Sequence, residues 1–153
     1  MSVASASSVA AKRNSGVQYG ALPYRVANGT LEILLITTLR TRRWIIPKGW
    51  PIDGHEPHTS AAREALEEAG VHGEIGTKAI GSFRYHKQLK SGDTVPCKVD
   101  VFALKVTRYR KAWLEKDSRE LRWCAIDEAL ACVAEPGLRQ LIKRFAAALE
   151  SAA

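Results

Sequence analysis

Three glutamates, Glu64, Glu67 and Glu68, fall within one turn of a helical pattern in the stretch PHTSAAREALEEAGV. Positions i, i+3 and i+4 meet on a helix surface, and each like-charged pair there costs ~0.2–0.5 kcal/mol. Glu64 has no basic partner four residues on, since position 68 is also glutamate. A hard dication reverses the sign of that interaction. Mg²⁺ takes oxygen ligands, usually a few carboxylates completed by water and substrate phosphates. Arg63, beside the acids, offers a two-pronged fork that can orient a carboxylate. The loop before the helix carries Gly49 and Gly54, and a glycine lets backbone groups approach a ligand closely. The plainer account of the acids is an amphipathic helix that shows charge to solvent.

The surrounding elements must hold this group in place. The runs VQYGALPYRV and LEILLITTL read as strands joined by Asn28-Gly29, a hairpin turn signal. RWIIP reads as a short strand stopped by Pro47. The helix is expected over about 58–69, with Thr59 or Ser60 as N-cap and Gly70 after its last turn. At about 100° per residue, Ala62, Ala65, Leu66 and Ala69 form one side and the three acids the other. GEIGTKAIGSFRYHKQL and TVPCKVDVFALKVTRY read as two long strands, and ELRWCAI as another. DEALACV and LRQLIKRFAAALES read as helices, the second with Leu138, Leu141, Ile142 and Phe145 on one stripe. Strands, helix, strands, helices is a mixed α/β order.

The chain has 153 residues, 46% of them apolar and 25% charged, ordinary for one globular domain. Residues 1–16 are rich in Ser and Ala and read as a disordered tail, with the folded domain at 17–150. The tail lacks the apolar run of a secretory signal. Lys12 and Arg13 without an acid leave a transit peptide as the other reading. No run approaches the ~20 apolar residues that span a bilayer. Cys97, Cys124 and Cys132 form no CxxC pair, and they read as reduced thiols of a cytoplasmic protein. His55, His58, His72 and His86 form no metal-binding pattern. The net charge of +7 suits an anionic partner.

The segment from Gly49 to Val71 resembles the Nudix box, G-x5-E-x7-R-E-U-x-E-E-x-G-U, with U apolar. Gly49 stands at the first glycine. Arg63, Glu64, Glu67, Glu68 and Gly70 stand in the REUxEExG core, with Ala65 and Val71 at U positions. The first glutamate of the box falls on His55, with Glu56 one residue late. The resemblance covers roughly residues 17–147 and implies an α/β/α sandwich around a mixed sheet. RRWIIPKGWP, the stretch GHEPHTSAAREALEEAGV and WLEKDSRELRW are most similar to the diphosphoinositol-polyphosphate phosphohydrolase-like branch.

The resemblance implies a Mg²⁺- or Mn²⁺-dependent pyrophosphohydrolase acting on a small polyphosphorylated molecule, a diphosphoinositol polyphosphate or a dinucleoside polyphosphate. The alternatives are a Nudix-fold module that binds a phosphorylated ligand without turnover, and an RNA 5′-pyrophosphohydrolase. No aromatic-rich RNA-binding pattern supports the latter. The implied metal ligands are Glu64, Glu67, Glu68 and the Gly49 carbonyl, with Glu64 as ligand or base and Arg63 orienting a carboxylate. The box's first glutamate mainly supports the loop and the helix arginine, so His55 puts local packing in question. Glu115, Asp117 and Glu120 are candidates for a base outside the box. Arg40, Arg42, Arg43 and Lys48 read as a phosphate-binding rim, which Lys87, Lys90 and Lys98 extend. Trp50 is the substrate-contact candidate; Trp44, Trp113 and Trp123 read as core. The oligomeric state is left open.

Overall fold

A computed structural model describes residues 16–152. Apart from Gly16, the expected tail lies outside them. The elements in chain order are β1 (Val17–Ala27), β2 (Thr30–Thr37), β3 (Trp44–Ile45), β4 (Lys48–Gly49), α1 (Pro57–Ala69), β5 (Val71–Ile75), β6 (Gly81–Gln88), β7 (Thr94–Tyr109), β8 (Leu121–Ala125), α2 (Ile126–Cys132) and α3 (Pro136–Ala152).

Eight strands form one mixed sheet with the central order β3-β2-β1-β7-β5. β4 also pairs with β1, β6 with β7, and β8 with β2. The β1–β7 pair is parallel, from Val17 opposite Lys98 to Tyr24 opposite Lys105. The other pairs are antiparallel. Asn28 and Gly29 take positive φ, 53° and 77°, and Ala27 faces Thr30, so the two-residue turn sets the β1–β2 register.

β1 is buried along most of its length, as a central strand covered on both faces must be. Its odd and even residues point to opposite faces. Tyr19 meets Phe102, whose ring lies 6.5 Å from His58 of α1. Tyr24 meets Phe145 of α3 with ring centres 5.0 Å apart. α1 and α3 therefore cover opposite faces, giving the α/β/α sandwich. α3 buries the expected stripe Leu138, Leu141, Ile142 and Phe145.

Three local expectations need correction. The stretch read as one strand from residue 73 is split into β5 and β6, which both pair with β7. Residues 76–80 bulge between them, bounded by hydrogen bonds from Gly76 N to Ala103 O and from Ile80 N to Val101 O. The N-cap of α1 is Glu56, followed by Pro57, because proline has no N–H to leave unpaired in the first turn. Thr59 and Ser60 lie inside the helix: the Thr59 hydroxyl donates to Glu56 O, and Ser60 Oγ accepts from Ile52 N. The buried side of α1 is Ser60, Ala61, Ala65, Glu68 and Ala69. Glu68 thus leaves the solvent face assigned to the three acids. Alanines at 61, 65 and 69 bring the helix close to the sheet, and Glu68 is carried in with them.

Candidate active site

β4 is only two residues long, yet it places Gly49 opposite Tyr19 and Lys48 opposite Gly20 on the central strand. This sets the box loop under α1. A Cβ at Gly49 would stand within 2.7 Å of the Glu64 carboxyl atoms. Gly49 is therefore required by the approach of Glu64 and not by its own backbone angle, which is not among the positive φ values.

Glu64 and Glu68 hydrogen-bond through their carboxyls. Burial pushes Glu68 up to about 8, against the pull of Arg119 and Lys48 and with the Glu64 charge adding to it. Burial also raises Glu64; its hydrogen bond with Glu68 opposes this, and Glu67 and Glu115 reinforce it. Glu68 Oε1 accepts from Lys48 N at 3.3 Å, and its Oε2 lies 3.8 Å from Arg119 Nη2. Burial pulls the Lys48 ammonium down to about 8, with Glu68 opposing. That ammonium sits 4.6 Å over the ring of Tyr85, whose hydroxyl donates to Gln18.

Glu67 is held apart from this pair. Arg63 Nε donates to Glu67 Oε2 at 2.7 Å. His55 is exposed, so no glutamate at that position meets Arg63, and Glu56 lies 3.6 Å from His58 instead. Among the described residues no three acidic, imidazole or thiol groups converge as a ready metal cluster. The donor chemistry nevertheless fits a hard dication. Two carboxyls share one spot, Glu68 buried and Glu64 half-buried, both held toward the protonated form; a third stands on the same turn, and the Gly49 backbone packs against Glu64.

The loop between β7 and β8 straps the end of α1. Arg110 N donates to Gly70 O, and Glu115 N donates to Glu67 O at 2.9 Å. Gly70, in the left-handed region at φ 68°, leaves room for the Trp113 ring, which a Cβ there would strike. Arg119, missed in the sequence, ties the strap down: it donates to Glu115 at 2.8 Å and to Thr37 O at 2.9 Å. Of the three distal acids, the strap sets Glu115 beside the glutamates. Glu120 pairs with Arg42 and Asp117 is exposed.

Next to Lys48 and Arg119 opens a cleft of about 590 Å³. Arg40, Arg43, Lys48, Arg84, Lys87 and Arg119 line it, together with one acid, Glu135. The structure thus brings together Arg40, Arg43 and Lys48 of the expected rim, plus Lys87. Arg42 points elsewhere, to Ser118 O at 2.9 Å and to Glu120. Lys90 is exposed, and Lys98 pairs with Asp100. Trp50 packs against the core, as do Trp44 and Trp123, and does not line the cleft. Arg84 and Glu135 were missed. Alternation along β6 was the available signal for Arg84, since Phe83 and Tyr85 point inward. Glu135 had none, being a single acid before a proline.

A mixed α/β/α sandwich thus sets a helix with three glutamates beside a polycationic cleft. The chain belongs to the NUDIX domain family, whose model matches residues 18–145. It is similar to "Nudix hydrolase 12, mitochondrial" of Arabidopsis thaliana, 28% identical over 86% of this chain and 72% of that one. It is also similar to "Diphosphoinositol polyphosphate phosphohydrolase 3-alpha" of Mus musculus, 34% identical over 65% of this chain and 58% of the relative. Its fold matches the C. elegans Ap4A hydrolase binary complex with a TM-score of 0.64, at 20% identity over 88% of this chain and 98% of that one.

Proposed function

We propose that this hydrolase is a Mg²⁺- or Mn²⁺-dependent pyrophosphohydrolase that cleaves a diphosphate linkage in a small polyphosphorylated molecule, either a diphosphoinositol polyphosphate or a dinucleoside polyphosphate. The observation that carries this is the placement of the buried glutamate at the edge of the cationic cleft: Glu68 accepts from the Lys48 backbone N–H at 3.3 Å and lies 3.8 Å from Arg119 Nη2, and both residues line the cleft. Glu64, Glu68 and the Gly49 carbonyl would hold the dication, and Glu67 would join on leaving Arg63. A bound dication supplies charge neutralisation at the anhydride and a more acidic water. Arg40, Arg43, Arg84 and Lys87 would bind the non-reacting phosphates, and guanidinium forks match their geometry. Glu64 or Glu115 would take the proton of the attacking water.

Among the described residues no helix is long and apolar enough to cross a membrane. The three cysteines are free thiols, in keeping with a reducing compartment such as the cytoplasm.

The test is a panel of diphosphate compounds with product release followed with and without Mg²⁺, as phosphate from a diphosphoinositol polyphosphate and as mononucleotides from a dinucleoside polyphosphate. Metal-dependent release is expected, and Glu67→Gln should lose most turnover at little change in Tm, because the pair its carboxylate makes with Arg63 is an i,i+4 helix-surface pair of the kind that contributes only ~0.3–0.5 kcal/mol. Full turnover in Glu67→Gln removes that residue from the metal site. Release that ignores the metal removes the proposal.

A further inference from the structure

Among the described residues Glu135 is the only acid lining a cleft that also holds six Arg and Lys residues, and it is just 7% exposed. It precedes Pro136 at the start of α3, and its backbone carbonyl accepts from Arg139 N at 3.1 Å. Oε1 accepts from Arg43 Nη2 at 2.5 Å, and Oε2 is buried with no partner. Arg43 is half-exposed and lies 92 residues away in sequence. Leaving one carboxylate oxygen buried and unpaired costs more than a half-exposed ion pair returns. As a strut the arrangement is poor, and as a phosphate site the acid is misplaced.

Resting on the pyrophosphohydrolase reading, we propose that Arg43 and Glu135 form a specificity pair that reads a phosphate flanked by a hydrogen-bond donor, as in the nucleoside half of a nucleoside polyphosphate. In the free protein each stands in for the ligand of the other. The guanidinium occupies the donor's place on the carboxylate, and the carboxylate occupies the phosphate's place on the guanidinium. A ligand carrying both groups replaces both partners at once. Arg43 moves onto the phosphate, which uncovers Glu135, and both carboxylate oxygens become available to hydroxyl or amino donors. A ligand made of phosphates alone satisfies Arg43 and strands a carboxylate among its own charges. The pair therefore favours a dinucleoside polyphosphate over a fully phosphorylated ring with no free hydroxyl.

The test measures binding by calorimetry in EDTA, where nothing turns over, so it stands or falls separately from the hydrolase reading. The probes are inorganic tripolyphosphate and ATP, together with 2′,3′-dideoxy-ATP and purine riboside triphosphate, which lack the ribose hydroxyls and the base amine. Glu135→Gln should weaken ATP roughly tenfold, the loss expected of a charged hydrogen bond, and leave tripolyphosphate unchanged or tighter. In the wild type, the probe lacking the recognised donor should bind about as weakly as ATP binds the variant, which identifies the donor. Arg43→Gln, a change on the exposed side of the pair, should weaken ATP and tripolyphosphate alike, and it keeps the test usable if Glu135→Gln fails to fold. The proposal is overturned if Glu135→Gln shifts both ligands in the same direction or leaves ATP unmoved. It is also overturned if both donor-deleted probes bind the wild type as ATP does, or if Arg43→Gln leaves tripolyphosphate binding intact.

Discussion

Replacing Gly49 by alanine asks whether that glycine serves the backbone or the carboxylate of Glu64. The added Cβ would lie 2.5 Å from Glu64 Oε1 and 2.7 Å from Oε2, where ordinary contact begins at 3.4 Å. The carboxylate must retreat by roughly 1 Å, and displacement on that scale costs on the order of 100-fold in rate. The stability cost is small. Gly49 does not sit at positive φ, and Glu64 is half-exposed and can swing away. Overpacking of about 1 kcal/mol lowers Tm by roughly 2–4 °C in a chain of this size. Gly54 is the control: its φ is 79° and nothing lies within 4 Å of its would-be Cβ. Alanine there costs ~1–2 kcal/mol of backbone strain and touches no carboxylate. The assay is release of product, phosphate or mononucleotide according to the substrate, at saturating Mg²⁺ together with a thermal melt. Gly49→Ala should lose about 100-fold in turnover for a few degrees of Tm. Gly54→Ala should lose as much Tm and keep its turnover. Wild-type turnover in Gly49→Ala, or equal loss in both variants, refutes the reasoning.

Other outcomes follow from the same geometry. In EDTA, folded Glu68 retains up to about pH 8 a proton that the unfolded chain releases near 4.5, so its contribution is full below 4.5 and lost as pH rises toward 8. The wild type should therefore melt at progressively lower temperature than Glu68→Gln across that range; a constant difference sinks this reading. Arg84→Ala should raise KM for a polyphosphorylated substrate roughly tenfold by removing a charged phosphate contact. Arg42→Ala should not, since that guanidinium serves Ser118 and Glu120; a matching rise in KM would return Arg42 to the cleft.

Much of the fold was legible because it is written locally. Asn28-Gly29 supplies two residues that tolerate positive φ, and Gly70 ends α1 in the same conformation. The alternation from Thr94 to Tyr109 marks β7 over its full length. The apolar stripe of α3 reads directly as its buried side. The REUxEExG spacing sets Glu64, Glu67 and Glu68 on one turn before any tertiary contact exists.

The sequence by itself thus determined which residues gather on the helix, since helical periodicity depends only on neighbours along the chain. Only the tertiary structure decided what each glutamate does. Glu68 is drawn under the helix by the alanines that let α1 approach β1, Glu67 goes to Arg63, and Glu64 lies against Gly49 because β4 pairs with β1. The cleft belongs to the same level. Arg43 reaches Glu135, and Arg119 reaches Thr37, across 92 and 82 residues. No local pattern encodes such pairs, because they form only after sheet register and burial have closed the chain on itself.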